Sequence, residues 1–430
     1  MFMERQDRYY QTYLNILKEE LVAAMGCTEP IAIAYGAAKA REVLGAVPHK
    51  VVLEVSSNII KNVKSVVVPN TDGLKGIEAA TAAGIIAGRS DKILEVIAEV
   101  CQAEKQQIKT YLSETDIEVK LADSQIIFDI MITMFHQDSY VKLRIADYHT
   151  HIVHIEKNGE IIFGTGDLDA GISSLTDRKL LSVSKIIEFA DSVRIEDVKE
   201  LLDKQIEYNS AIARAGMEGN YGANVGRVLL KTYGNDVKIR AKAMAAAGSD
   251  ARMSGCELPV IINSGSGNQG MTASLPVIEY AAELQSGEEK LYRALVVSNL
   301  ITLHLKTGIG RLSAFCGVIC AGCGSGAGIA YLHGGGYDEI AHTIVNAAAI
   351  VSGIVCDGAK PSCAGKIAAA VDAGILGYLM YKEGQQFRGG DGIVAKGIEN
   401  TIANIGYLGK VGMKETDKEI INIMLNQCSS

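Results

Sequence analysis

The sequence predicts an α+β protein: N-terminal helices with a small mixed or antiparallel sheet, then a mostly α-helical C-terminal domain that carries a metal site. Three observations predict it. Runs rich in β-branched residues fall at 51–68 and 117–163, whereas from about Thr176 onward the chain turns to Ala, Gly, Ile and Leu broken by glycine loops. Five of the nine cysteines lie between 316 and 363. At 430 residues the chain exceeds the size at which one core keeps growing. A boundary near residues 165–180 divides it into an N-terminal α+β domain, 1–170, and an all-helical domain, 171–430.

Along residues 7–24, Tyr10, Leu14, Leu17, Leu21 and Val22 recur at the spacing of one helical face. Gly26 suits the end of that helix, and the next opens with Thr28 as N-cap and Pro30 in its first turn. Cys27 then sits at a junction between helices. Residues 51–55 and 63–68 predict short strands around a polar stretch that includes Ser56-Ser57-Asn58, and Pro69-Asn70-Thr71-Asp72-Gly73 predicts a turn. Helices are expected over 76–88 and 91–103. Strand signals follow at 118–121, 126–133, 140–146, 150–157 and 160–163, with a hairpin turn at Asn158-Gly159. Beyond Thr176 only 260–262 reads as a strand. Nothing repeats at a period of 20 to 50 residues.

Hydrophobic residues make up 48% of the chain and charged residues 21%, the balance of a folded globular protein. The formal charge is −8 and the basic residues are scattered, so nucleic acid is not an expected partner. Residues 1–11 are polar and lack a secretion signal. No run approaches 18 strictly apolar residues, and the most apolar C-terminal stretches are full of Gly, Ala and Cys, which suits closely packed helices. The expectation is a soluble cytoplasmic protein with no membrane partner. In a reducing compartment its cysteines are poor disulfide candidates, which turns attention to metal binding or catalysis.

Cys316, Cys320 and Cys323 form one group and Cys356 and Cys363 another. Soft thiolates prefer zinc or iron–sulfur clusters, and composition does not choose between them. Glycine flanks let backbone N–H groups approach an anionic cluster. The spacing from Cys316 to Cys323 also matches enzymes that cleave S-adenosylmethionine, but those place it after an early barrel strand, not late in a helical region. Cys320, beside Val318 and Ile319, is expected simply to pack. The run Gly265-Ser266-Gly267-Asn268-Gln269-Gly270 can present backbone donors at a helix N-terminus, which suits a carboxylate. It lacks the Lys-Ser/Thr ending of a P-loop and the setting of a dinucleotide fingerprint. Asn268 and Gln269 are candidates for binding a substrate carboxylate or amino group. His304, on an apolar helix, is expected to be a satisfied core histidine.

Four segments, Met25-Gly26-Cys27-Thr28-Glu29-Pro30, Ser264-Gly265-Ser266-Gly267-Asn268-Gln269-Gly270, Leu312-Ser313-Ala314-Phe315-Cys316-Gly317 and Cys356-Asp357-Gly358-Ala359-Lys360-Pro361-Ser362-Cys363, resemble the L-cysteine desulfidase family. That family looks related, through its helical domain, to the alpha chain of bacterial iron–sulfur L-serine dehydratases. The resemblance covers nearly the whole chain. It implies elimination of L-cysteine to pyruvate, ammonia and hydrogen sulfide. The alternatives are L-serine dehydration by the same machinery and a non-catalytic iron–sulfur or cysteine-sensing protein.

The resemblance also implies a [4Fe-4S] cluster held by Cys316, Cys356 and Cys363, with the fourth iron open as a Lewis acid towards the leaving group. A swap of Cys316 for Cys323 stays open. Cys27, ahead of a helix start whose dipole favours a thiolate, is the candidate base for the α-proton. It can instead cap the open iron or merely pack in a turn. Glu29 either orients a thiol or favours the helix start. Asn62 and Lys75, in the polar patch of Ser56-Ser57-Asn58, Lys61-Asn62-Val63 and the 69–76 loop, are expected to bind substrate. Lys360 is expected to offset cluster charge rather than serve a pyridoxal phosphate pocket. The expected partners are a small amino-acid substrate and, from the glycine-rich apolar helices, a second copy in a homodimer.

Overall fold

The computed structural model describes residues 3–164 and 175–426. Cys428 and residues 165–174 of the expected boundary lie outside them. The architecture is α+β, as the sequence predicts, with the sheet in the N-terminal half and helices throughout the C-terminal half.

The first helix, α1 (Arg8–Glu20), is capped by the Asp7 side chain on Tyr9 N at 2.7 Å and buries Tyr10, Tyr13, Leu14 and Leu17. It stops short of the expected 7–24. Ala23–Met25 instead forms strand β1, which pairs antiparallel with a partner far along the chain, Pro259–Ile261. That pairing captures backbone groups a longer helix would have used itself. Helix α2 (Thr28–Leu44) then starts with Cys27, not Thr28, as its N-cap residue.

Strand β2 (Lys50–Val55) stands where expected, but 63–68 is not a strand. Ser57–Val63 is helix α3, whose Lys61 and Asn58 both bind Asp417, and Val67 makes only an isolated bridge to Lys75. Helix α4 (Gly76–Ala87) follows. The helix expected over 91–103 is also absent. Ser90–Glu95 is a kinked 3-10 turn with Ile93 at φ 52°, Val96 and Ile97 are fully buried beyond it, and α5 begins only at Gln102 (Gln102–Glu114), where Glu104 caps Cys101 N at 2.9 Å.

Five more strands complete a sheet: β3 (Asp116–Leu121), β4 (Asp129–His136), β5 (Ser139–Ala146), β6 (Ile152–Lys157) and β7 (Glu160–Phe163). Their order is β3-β2-β4-β5-β6-β7, parallel between β2 and β3 and antiparallel elsewhere. Asn158 and Gly159, both at positive φ, make the β6–β7 turn, the backbone a two-residue hairpin demands. Alternation puts Ile130, Ile132 and Met134 with Val141, Leu143 and Ile145 into the core, and α2 covers this face.

The strand Pro259–Ile261 is β8. The other half is helical: α6 (Val183–Ser192), α7 (Ile195–Glu218), α8 (Val225–Tyr233), α9 (Val237–Met253), α10 (Gly267–Glu283), α11 (Glu288–Ile309), α12 (Val318–Leu332), α13 (Tyr337–Val351), α14 (Cys363–Lys382), α15 (Ile398–Tyr407) and α16 (Lys414–Asn426). Nearly every residue of α12 is buried, wrapped by α10, α11, α13 and α14. Helix α14 is long and apolar enough, by length and composition, to cross a membrane, but half of it is buried and it packs on α9, α12 and α13 as a core helix does. α1 docks on α6, α7 and α11, so the apolar core runs unbroken from the first helix into the helical half.

Candidate functional site

Four helices begin at one cavity: α2, α10, α12 and α14. Their unsatisfied N–H groups and positive dipole ends make that cavity hospitable to negative charge. Cys27 caps α2, Asn268 and Gln269 lie in the first turn of α10, Cys316 precedes α12, and Cys363 is the first residue of α14. Cys356 arrives by a different route. Phe315 and Val355 form an antiparallel bridge, with Cys356 N donating to Ala314 O at 2.6 Å and Cys316 N to Ile354 O at 3.2 Å. Two short loops are thereby clamped together, so Cys27, Cys316, Cys356 and Cys363 all line the cavity along with Asn62, Asn268 and Gln269.

Lys75 is not brought there. It is exposed, precedes α4, and does not line the cavity. Cys320 and Cys323 are buried within α12 and do not line it either. His304 Nε2 is satisfied by Glu399 Oε2 at 2.6 Å. Lys360 Nζ folds back onto its own loop, binding Asp357 O at 2.8 Å and Gly358 O at 3.2 Å.

Burial pushes the Cys316 thiol up to about 12, helped by the charge of Cys356, and burial also raises Cys363. Such thiols ionise when a metal binds them. Among the described residues no three His, Cys, Asp or Glu side chains stand close enough to hold a single metal ion. The donor set is nevertheless three soft ligands on one cavity, beside the cationic Lys306, Arg311 and Lys366. In donor chemistry and charge this suits an anionic iron–sulfur cluster, whose several atoms keep its ligands apart.

The opposite wall was less visible in the sequence. Glu29 Oε2 accepts from Cys27 Sγ at 3.2 Å and from Thr28 Oγ1 at 3.1 Å, and Glu29 Oε1 accepts from Asn62 Nδ2 at 3.2 Å. His149 Nε2 stands 3.9 Å from Glu29 Oε1, ion-pair range rather than a hydrogen bond. Burial would raise the Glu29 carboxyl, but His149 first and then Cys27 outweigh it and hold the carboxyl at about 2. Cys27 goes the other way. Burial above all, then the charge of Glu29, push its thiol well above the ordinary range, and Arg252 offsets this only in part. The resting group is therefore a thiol donating to a carboxylate, not the thiolate that the helix start alone suggests.

Arg252, near the end of α9, is 2% exposed and donates through Nε to Gly26 O at 2.9 Å and through Nη1 to Asn268 Oδ1 at 3.1 Å. Its Nη2 has no hydrogen-bond partner among the described residues. The same holds for three other buried atoms on this cavity, Asn62 Oδ1, His149 Nε2 and Gln269 Oε1. Buried polar atoms are nearly always satisfied, and exceptions mark places where something else binds. Gly317 makes room for one of them, because a Cβ there would lie 2.7 Å from the Gln269 side chain.

Sequence reading missed His149 and Arg252. His149 sits on the turn after β5, held edge-on to Phe128 with ring centroids 4.7 Å apart, and nothing local marks it. Arg252 did leave a signal: it and Asp250 are charges on the last turns of a helix, just after the run Ala245-Ala246-Ala247-Gly248.

The fold joins a six-stranded sheet to a helical bundle and places thiols and polar atoms without hydrogen-bond partners among the described residues on one shared cavity. The model of the serine dehydratase alpha chain matches residues 91–422. A UPF0597 protein of Lachnoclostridium phytofermentans is 52% identical over 97% of this chain and all of its own length. Those of Treponema denticola and Fusobacterium nucleatum are 46% and 47% identical, covering 97% and 96% of this chain and 98% of each relative. The chain belongs to the serine dehydratase alpha chain family, whose description is that of a lyase.

Proposed function

We propose that this protein is an iron–sulfur lyase that eliminates the β substituent of L-cysteine, giving hydrogen sulfide, pyruvate and ammonia. One observation carries the reading: four buried polar atoms without a hydrogen-bond partner among the described residues share a cavity with four thiols, three of them Cys316, Cys356 and Cys363. Arg252 Nη2 and the α10 N-terminus suit the α-carboxylate. The carbonyl oxygens of Asn62 and Gln269 suit the α-ammonium. Cys316, Cys356 and Cys363 would hold a [4Fe-4S] cluster, which when bound supplies a Lewis acid for the departing sulfur.

Proton handling falls to the opposite wall. The Cys27 proton passes along its hydrogen bond to Glu29 Oε2, and the thiolate so formed takes the α-proton. As the α C–H bond breaks, its electron pair forms the Cα–Cβ double bond and the β C–S bond cleaves. The released aminoacrylate tautomerises to an imine, and water hydrolyses it to pyruvate and ammonia.

L-Serine dehydration by the same groups is the second reading, and the family match favours it. The test is anaerobic reconstitution of the full chain with iron and sulfide, then product analysis with each amino acid in parallel. Pyruvate with stoichiometric sulfide from L-cysteine is the expected result. Pyruvate from L-serine alone would move the assignment to the second reading, and a brown protein that releases pyruvate from neither would remove the enzyme reading.

A further inference from the structure

The loop joining α14 to α15 folds over the start of α13 and walls a separate, solvent-open cavity of about 290 Å³, which shares no lining residue with the thiol-lined one. Its shape is fixed by the loop's own bonds. Phe387 N donates to Asn346 Oδ1 at 3.0 Å and Arg388 N to Asp391 Oδ2 at 2.6 Å. The His342 ring is held too, stacked on Tyr381 with centroids 5.0 Å apart and planes 6° from parallel.

Inside this preformed wall, two buried atoms lack a hydrogen-bond partner among the described residues: His342 Nδ1 and Gln386 Oε1. At the rim stand Arg388 and Lys396, whose side chains form no ion pair or hydrogen bond among the described residues, and one carboxylate, Asp338. Helix α15 opens at the same place, and its N-cap, Gly397, offers no side chain to its first N–H groups.

A ligand that satisfies this set needs an anionic group for Arg388, Lys396 and the helix end, and a cationic donor for Gln386 Oε1 and Asp338. A free α-amino acid carries both within a few bonds. We propose that this cavity is a second small-molecule site, for a free α-amino acid, separate from the lyase cavity. The carboxylate lies between Arg388 and Lys396, the ammonium faces Gln386 Oε1 and Asp338, and His342 Nδ1 makes the third contact. The proposal does not depend on the lyase reading.

The test uses the full chain and titration calorimetry with L-alanine, a zwitterion with no β leaving group, beside pyruvate and inorganic phosphate. The variants are Arg388→Gln with Lys396→Gln, and separately His342→Phe, which keeps a ring for the stack and removes Nδ1. The circular dichroism and melting of the double variant should match the parent, since Arg388 and Lys396 are exposed. The expected result is an L-alanine site that the double variant weakens at least about tenfold, as loss of charge-assisted bonds should, and that Arg252→Gln leaves untouched. Pyruvate should bind there more weakly than L-alanine. L-Alanine binding unaffected by the double variant would overturn the proposal. So would an Arg388-dependent site that takes phosphate and not L-alanine.

Discussion

Arg252 and Cys27 line the same cavity, yet only one of them was legible in the sequence. Cys27 is flagged by its residue type and its place before a helix start. Arg252 acquires its meaning from Gly26 and Asn268, partners 226 and 16 residues away. Two of its three nitrogens are committed to the protein, which leaves Nη2 for ligand. Arg252→Lys should therefore raise KM by roughly ten- to a hundredfold, the cost of one charge-assisted bond, with a smaller change in kcat. A larger loss in kcat than in kcat/KM would speak against a role in binding. For Cys27→Ala the expectation is reversed: full iron content and colour with a rate lost by at least about a hundredfold, the usual worth of a general base. Full rate in that variant would transfer the base role to His149. Glu29 adds a pH dependence. Its folded pKa, about 2, is depressed from 4.5, so its contribution to stability is complete above about 4.5 and lost as pH falls towards 2. Melting curves between pH 5 and pH 2 should show a shallower acid decline in Glu29→Gln than in the parent.

From sequence, the glycine flanks of the thiols read as room for a cluster, and the Gly- and Ala-rich late helices as suited to close packing. The structure shows that packing in detail. α12 and α14 cross with backbones in contact: a Cβ on Gly374 would lie 2.2 Å from Gly322 O, and one on Gly322 would lie 2.3 Å from Ala370 O. Since Cys316 and Cys363 sit at the starts of these two helices, the crossing sets how far apart those thiols stand. Gly374→Ala must push the helices apart, so it should cost about 1–3 kcal/mol of stability, as overpacking does. Iron and sulfide retained after anaerobic reconstitution should fall as well. A melting point lowered with iron content unchanged would separate packing from the site. The same scale explains which elements sequence could reach. Strands β4 to β7 were legible because their alternation and an Asn-Gly turn are local. β1 was not, because Ala-Ala-Met has little strand preference and exists as a strand only through β8. Val-rich 63–68 misled for the complementary reason: Asp417 on α16 anchors Lys61 and Asn58 in a helix, a contact that no window around residue 60 contains.

The cavity belongs to neither half of the chain. Cys27, Glu29, Asn62 and His149 come from before residue 150, while Arg252, Gln269, Cys316, Cys356 and Cys363 come from after 250. Residue types announced the group of thiols and the amides of 268–269, and the family resemblance picked the three ligands and Asn62; that they meet in one place is a property of the whole fold, fixed by β1 on β8, the Phe315–Val355 bridge and four converging helix starts. A cluster held by three thiols from two clamped loops would bind the folded chain far more tightly than the unfolded one, and by linkage it would stabilise the fold by RT ln(1 + [L]/Kd). Reconstitution with iron and sulfide should accordingly raise the melting temperature by several degrees. The size of that shift reports the site without any reference to turnover. Cys356→Ala should abolish it, because the bridge still forms through backbone atoms while one ligand is lost. Cys320→Ala removes a thiol of α12 that does not line the cavity and should keep the shift, at the expense of a small packing defect. Equal stabilisation by zinc alone, without sulfide, would replace the cluster by a single-ion site. Three thiols would then have to draw together from the positions they occupy here, where among the described residues no three ligands close on one ion.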